Sequence, residues 1–169
     1  MKPSHPLLRW IKHASSHPRQ VSRQFPPAAL ERIAQAIAAS EQQHAGEIRV
    51  VIEAGLPSAM ILRGLQPQQR ALQLFGQLNI WDTEHNNGVL IYLLLADQDV
   101  EMIADRGIHR YVGTAGWQAI CQHMEGMFRS GQFEAGILYG IQAIGTHLAT
   151  HFPPQGQPRN ELCNRVLVC

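Results

Sequence analysis

No apolar run in this chain is long enough to cross a bilayer as a helix. The longest, residues 88–96 (GVLIYLLLA), falls far short of the roughly 20 residues that a spanning helix needs. The early apolar residues Leu7, Leu8, Trp10 and Ile11 are interrupted by Arg9 and Lys12, so a secretory signal is not expected either. Cysteine is scarce. Cys121, Cys163 and Cys169 are an odd number at wide spacing, which argues against a disulfide framework. Acidic residues are missing before Glu31, whereas Lys2, Arg9, Lys12, Arg19 and Arg23 all precede it. Over the whole chain the charge nearly cancels, at a formal +1. The concentrated basic surface of a duplex-binding protein is not demanded, and no nucleic-acid partner is expected. What remains is a single soluble domain of 169 residues, enough to bury a real core. The expected address is the cytoplasm, with a peripheral position at the inner membrane as the variant.

The chain divides into three parts. Residues 1–24 are basic, contain His5, His13 and His17, and are broken by Pro3, Pro6 and Pro18; they read as a mobile arm whose removal leaves the fold intact. Residues 25–152 carry every periodic segment, and residues 153–169 read as a polar tail. Pro26-Pro27 opens a helix as proline in a first turn does, and Leu30, Ile33, Ala34, Ile37 and Ala38 keep helical spacing up to Gly46. Residues 47–54 (EIRVVIEA) alternate, with Ile48, Val50 and Ile52 on one face and Glu47, Arg49 and Glu53 on the other, and predict a strand. Gly55, Pro57, Gly64 and Pro67 mark an irregular passage with room for a short strand. Helical spacing returns through Ala71, Leu74, Phe75 and Leu78.

Residues 88–95 are apolar on both faces, which predicts a central strand covered on two sides. A polar turn at 96–99 leads into a returning strand at 100–104. Trp117, Ile120, Cys121, Met124 and Phe128 mark one helix, and Phe133, Ile137, Ile141, Ile144 and Leu148 mark the last. The order α-β-α-β-β-α-α predicts an α/β fold, a three-layer αβα sandwich with a small mixed β-sheet. Gly136 and Gly140 suggest a close approach of the last helix to that sheet.

Polar residues converge at one end. With a turn at 96–99, Leu95 pairs with Val100 and the ladder runs down to Gly88 opposite Gly107, which brings Asn86 near His109. A right-handed helical crossover makes the first two strands parallel, so Glu47 begins at the same edge. One end of the sheet thus collects Glu47, Glu84, His85, Asn86, Asn87, Asp105, Arg106 and His109. Hard cations take oxygen from carboxylates, amides and carbonyls, and this cluster offers all three. Two readings are open. One is a divalent-cation or anion pocket, with Glu47, Glu84 and Asp105 as metal ligands and Asn86, Asn87, Arg106 and His109 as ligand-binding groups. The other is structural: a turn at 86–88, an Asp105–Arg106 ion pair, and Gly107 supplying positive φ.

Residues 83–109 (TEHNNGVLIYLLLADQDVEMIADRGIH) resemble the TPM domain, found in a thylakoid-lumen photosystem II repair protein and in many bacterial proteins. The resemblance takes in Gly46-Glu47-Ile48, Phe128-Arg129, Gly131, Phe133 and Gly136, and covers residues 26–152. It implies an αβα sandwich, a divalent-cation site near the sheet edge holding Ca2+ or Mg2+, and an acid phosphatase activity reported for the plant member. In the family the site is flanked by the asparagine–glycine start of the central strand and the glycine-containing exit of the next, here Asn86, Asn87 and Gly88, then Asp105, Arg106, Gly107 and His109. Many relatives also carry a secretory signal, a membrane anchor and aspartates ahead of the first helix, where this chain reads Arg23-Gln24-Phe25-Pro26. The function expected on this basis is a cation-binding module acting through a protein partner in protein maintenance near the membrane. The alternative is a metal-dependent phosphoester hydrolase.

The other candidates for chemistry are weaker. No cysteine precedes an arginine at the spacing of a thiol phosphatase loop, so no catalytic residue is identifiable. Asp97 and Asp99 sit on the hairpin turn, away from the cluster, and turn chemistry accounts for them. Cys121 and Trp117 read as core, and Cys163 and Cys169 lack the company that zinc requires. His147 and His151 stand i,i+4 without the glutamate of a zinc-protease helix. The basic arm, with Leu7, Leu8, Trp10 and Ile11 beside Arg9 and Lys12, suits an anionic membrane surface; the alternative is an arm folded onto its own domain or disordered.

Overall fold

The computed structural model describes residues 6–16, 18–154 and 161–169. Its elements run α1 (Pro6–Ala14), α2 (Pro18–Gln24), α3 (Pro27–Glu41), β1 (Glu47–Glu53), α4 (Ser58–Leu62), α5 (Pro67–Gln77), β2 (Gly88–Leu94), β3 (Asp99–Ala104), α6 (Arg106–Arg129), α7 (Phe133–His151) and β4 (Leu167–Val168). The sheet order is β3-β2-β1-β4, with β1 parallel to both β2 and β4 and β3 antiparallel to β2. The sheet is mixed and both its faces are covered, as the doubly apolar β2 demands; every residue of β2 is buried.

Alternation along the strands sorts side chains into two layers. Ile48, Val50, Ile52, Val89, Ile91 and Leu93 face α3, α6 and α7, where Ile33, Ile37, Met124, Phe128, Ile137 and Ile144 complete the larger core. Val51, Leu90, Tyr92 and Leu94 face α4 and α5, against Leu56, Ile61, Ala71, Leu74 and Phe75. The irregular passage after β1 therefore holds the short helix α4, and no strand. The glycines of α7 let it close chiefly on α6: a Cβ at Gly136 would meet Phe128 at 2.5 Å, and one at Gly140 would meet Met124 Sδ at 2.7 Å, with Ile91 of the sheet farther off at 3.4 Å.

The N-terminal helices belong to the body. Val21 and Phe25 are buried in the larger core. His13, expected in a mobile arm, is buried too: its Nδ1 accepts the Leu56 amide at 2.8 Å, and its Nε2 lies 3.1 Å from Asp97 Oδ1. Because Nδ1 accepts, the proton of a neutral ring sits on Nε2, facing the carboxylate. Arg9 Nε reaches the same carboxylate at 3.1 Å. These contacts tie α1 to the β2–β3 turn, a long-range pairing that local periodicity does not encode. His5 and His17 lie outside the described residues.

The hairpin register differs from the expectation by two residues. Leu93, not Leu95, pairs with Val100, and Leu94 pairs with Asp99. The reason lies on the other side of β2. The amides of Leu95 and Ala96 donate to the carbonyls of Glu53 and Ala54, so the chain stays on the β1 ladder while the turn tightens over residues 95–98. Gln98 takes the left-handed conformation that this turn requires, with φ 52°.

Candidate functional site

Where β2 begins, residues 83–87 form a turn: the Asn86 amide donates to Thr83 O, the Asn87 amide to Thr83 Oγ1 at 3.0 Å, and Asn86 is left-handed at φ 52°. On the returning side β3 ends at Ala104, and Asp105 caps α6, its Oδ1 accepting the Arg106 amide at 2.6 Å. A carboxylate there satisfies an orphan amide and suits the positive end of the helix dipole. α6 therefore starts eleven residues before Trp117, the first residue of the apolar spacing read from the sequence, and Ile108, buried in the larger core, lies ahead of it. The early turn is broken at Gly113 (φ 68°, ψ 170°), and for that reason its periodicity does not run into the rest of the helix.

The two sides meet through the backbone. Asp105 N donates to Gly88 O at 2.9 Å and Gly107 N to Asn86 O at 2.8 Å. Gly107 is there for closeness and not for a positive φ: a Cβ on it would lie 2.3 Å from Asn86 O and 2.5 Å from His85 O. With the register shifted, Asn86 lies beside Arg106 and Gly107, and its Oδ1 is 3.4 Å from Arg106 Nη2. His109 is exposed on the first turn of α6, as Arg106 is, its amide bonded to Asp105 O and not paired with Asn86.

Among the described residues, two oxygens at this corner have no donor. Asn87 is buried and gives its Nδ2 to Ala45 O at 2.9 Å, yet its Oδ1 accepts nothing; Asp105 Oδ2 is shielded and likewise unpartnered. Buried acceptors left unpaired cost free energy, so native folds seldom leave them so.

The other expected ligands are engaged or apart. Glu47, register partner of Gly88, is buried, and its two oxygens accept the amides of Glu161 and Leu162 at 3.0 and 3.1 Å. Burial pushes its carboxyl above the usual range, against the pull of those two amides. Glu84 is exposed, and its amide donates to Glu161 Oε2. Among the described residues no three His, Cys, Asp or Glu side chains gather as a metal-holding group. Glu41, on the last turn of α3, is a buried carboxylate that sequence spacing did not single out. It accepts the Ile48 amide at 3.0 Å, and burial pushes it up to about 8. A lone glutamate at a helix end gives no signal of this, because its burial depends on the chain that returns over it.

Elsewhere, Cys121 is half-buried and pushed up to about 12 by burial first and by Glu101 and Glu125 after it, so it offers no thiolate near neutral pH. Asp97, although burial pushes it up, ends below the usual range because His13 and Arg9 hold it. His151 stacks on Tyr111 at 4.2 Å, and His147 meets the buried Trp117 edge-on at 6.1 Å.

A mixed sheet between two helical layers, with a capped β2–β3 corner at one end, defines a TPM-type αβα domain. The profile of the TPM domain matches residues 22–147, and the chain belongs to that family. It is similar to the NMR structure of the BA42 protein from the psychrophilic bacterium Bizionia argentinensis, at 29% identity and TM-score 0.74, over 84% of this chain and 93% of that one. It also shares its fold with the N-terminal domain of a P. gingivalis protein, at 20% identity and TM-score 0.60, over 92% and 99%. No curated protein sequence matches it. No helix among the described residues is long and apolar enough to cross a membrane.

Proposed function

We propose that this TPM domain is a cation-binding interaction module whose divalent ion sits where β2 begins and α6 starts. The carrying observation is two shielded oxygens without a partner among the described residues: Asp105 Oδ2, on the residue whose amide bonds Gly88 O, and Asn87 Oδ1, on the residue just before Gly88. A hard cation accepts amide and carboxylate oxygen, so the donor set fits Ca2+ or Mg2+. One carboxylate and one amide make a site of low charge, completed by solvent and of millimolar strength. When bound, the ion supplies positive charge that pins the start of β2 to the start of α6. Asp105 caps the helix with one oxygen and holds the ion with the other. Among the described residues no three His, Cys, Asp or Glu side chains gather to build a centre that would activate a water; the module acts by binding a protein partner.

The membrane-facing surface is narrower than expected. Arg9 is committed to Asp97, which leaves Lys12 with the exposed Trp10 and Ile11 to meet an anionic membrane at the cytoplasmic face.

Calcium titration followed by thermal melting tests the cation site. At ten times the dissociation constant, binding to the native state stabilises by about 1.4 kcal/mol. The rise in Tm is expected to vanish in Asp105→Asn, which keeps the cap but removes the charge, and to persist in Asp97→Ala. A full calcium response in Asp105→Asn would move the site elsewhere.

A further inference from the structure

The outer edge of β1 is occupied by residues 161–169, and it holds them by their main chain. Glu47 accepts two consecutive amides, Glu161 and Leu162, one on each carboxylate oxygen. Two residues on, Arg49 Nη1 donates to the carbonyls of Cys163 and Arg165, the latter at 2.8 Å. Leu167 and Val168 then pair with Val51 and Ile52 in parallel, and Cys169 donates to Ile52 O and accepts from Ala54 N. A carboxylate for amides, a guanidinium for carbonyls and an open ladder all read peptide groups, which every sequence has. Side-chain demands are few. Leu162 and Leu167 pack toward the α4–α5 face and Val166 toward the other, while Glu161 and Asn164 make polar contacts with Glu84 N and Glu41.

Nothing in the strap is deep. No residue of 161–169 is buried, whereas Glu47, which grips it, is 2% exposed. The receptor is thus part of the core and the occupant lies on its surface. An unpaired sheet edge is a template for another strand, and main-chain bonds supply affinity in such additions.

We propose that the β1 edge is a strand-acceptor site for an extended peptide of another protein, which adds parallel to β1 in place of residues 161–169. The peptide offers two consecutive amides to Glu47, alternate carbonyls to Arg49, and apolar residues spaced as Leu162, Val166 and Leu167 are. The chain's own segment fills the site until such a partner competes with it. A tethered competitor acts at an effective concentration of order millimolar, so a free nonapeptide binds weakly and a partner presenting several contacts binds well.

The test uses the full chain and a labelled peptide of the 161–169 sequence with serine at both cysteine positions. Anisotropy is expected to show saturable binding at around millimolar protein, unchanged in the exposed-site control Arg129→Ala. Leu167→Ala in the chain loosens the tethered segment and not the peptide, and is expected to strengthen peptide binding several-fold. A peptide N-methylated at the Leu162 and Cys169 positions, which cannot donate those amides to the edge, serves as the control. Hydrogen exchange on the same samples is expected to show the Leu162 and Cys169 amides exchanging at least tenfold faster than Ile91, and faster again with peptide present. Retained β2 protection in Leu167→Ala separates a loosened tether from lost folding. If the amides of 161–169 exchange only with the core, or the N-methylated peptide binds equally, the proposal fails. If the chain forms concentration-dependent dimers that the peptide cannot compete away, the edge serves a second copy instead, and the assignment to another protein is overturned.

Discussion

Tyr92 on β2 donates its hydroxyl to Glu53 Oε2 on β1 at 2.7 Å, inside the layer between the sheet and α5. Arg70 of α5 closes the arrangement, its Nε and Nη2 reaching the two Glu53 oxygens at 3.0 and 3.1 Å. Glu53 is 4% exposed, so its charge depends on these partners. The Tyr92 phenol is pushed up, first by burial and then by the adjacent carboxylate, and remains a donor at any working pH.

Removing the cation of this triad leaves a buried carboxylate alone. Arg70→Ala is expected to cost about 3–5 kcal/mol, and Tyr92→Phe about 1 kcal/mol. Urea denaturation of both variants measures the difference; equal small losses would mean that water replaces Arg70.

The N-terminal helices are expected to contribute to stability. Deletion of residues 1–24 removes Val21 from the core, the His13 bond to Leu56 N and both partners of Asp97. The loss is expected to reach at least about 2 kcal/mol, read as a clear fall in Tm. An unchanged melt would return these residues to the status of an arm.

Glu41 gives a pH dependence with a definite sign. Its folded value is about 8 against an ordinary 4.5, so the native state holds a proton that the unfolded chain has released. Stability from this group is full below about 4.5 and declines as pH rises to 8. Glu41→Gln keeps an acceptor for Ile48 N without the charge. It is expected to match the parent at pH 5 and to melt higher at pH 8.5. Thermal scans across this range check it, and a variant that melts lower at pH 8.5 would show that the carboxylate is ionised and well solvated.

Gly107→Ala tests the contact that joins the two sides of the corner. Its Cβ meets two carbonyl oxygens, which are backbone and cannot swing aside. A cost of about 1–3 kcal/mol is expected from overpacking, together with a blunted calcium response. Gly126→Ala, at a site with nothing within 4 Å, is the control. If both variants melt alike, the close approach is looser than the geometry says.

Much of the fold was legible because it rests on period. The doubly apolar 88–94 stretch forced a covered central strand, and the spacing of Ile33 with Ile37 and of Ile137, Ile141 and Ile144 fixed the helices that cover it. Asn86 and Asn87 drew attention as turn or ligand-binding residues and Asp105 as a metal ligand or ion-pair partner of Arg106, and the structure does bring Asn86, Asn87, Asp105 and Arg106 to one corner, with Asp105 as the helix cap that spacing had not indicated. The pairing of that corner was not legible. A two-residue slip of an antiparallel strand keeps every side chain on its own face, so the hydrophobic pattern is blind to it.

The sequence by itself determined the strands β1, β2 and β3, the helices α3, α5 and α7 and the later part of α6, with their apolar faces, since those follow from local spacing and burial preference; α1, α2, α4 and β4 were not legible in it. Only the tertiary structure decided where the polar residues of β1 are spent: Glu47 and Arg49 on the returning main chain of 161–165, Glu53 on Arg70 and Tyr92. Read along the strand, those three look like a solvent face. They are covered because α4, α5 and the C-terminal segment fold back over them, and a buried charge takes its partner from whatever the chain brings within reach, however distant in sequence.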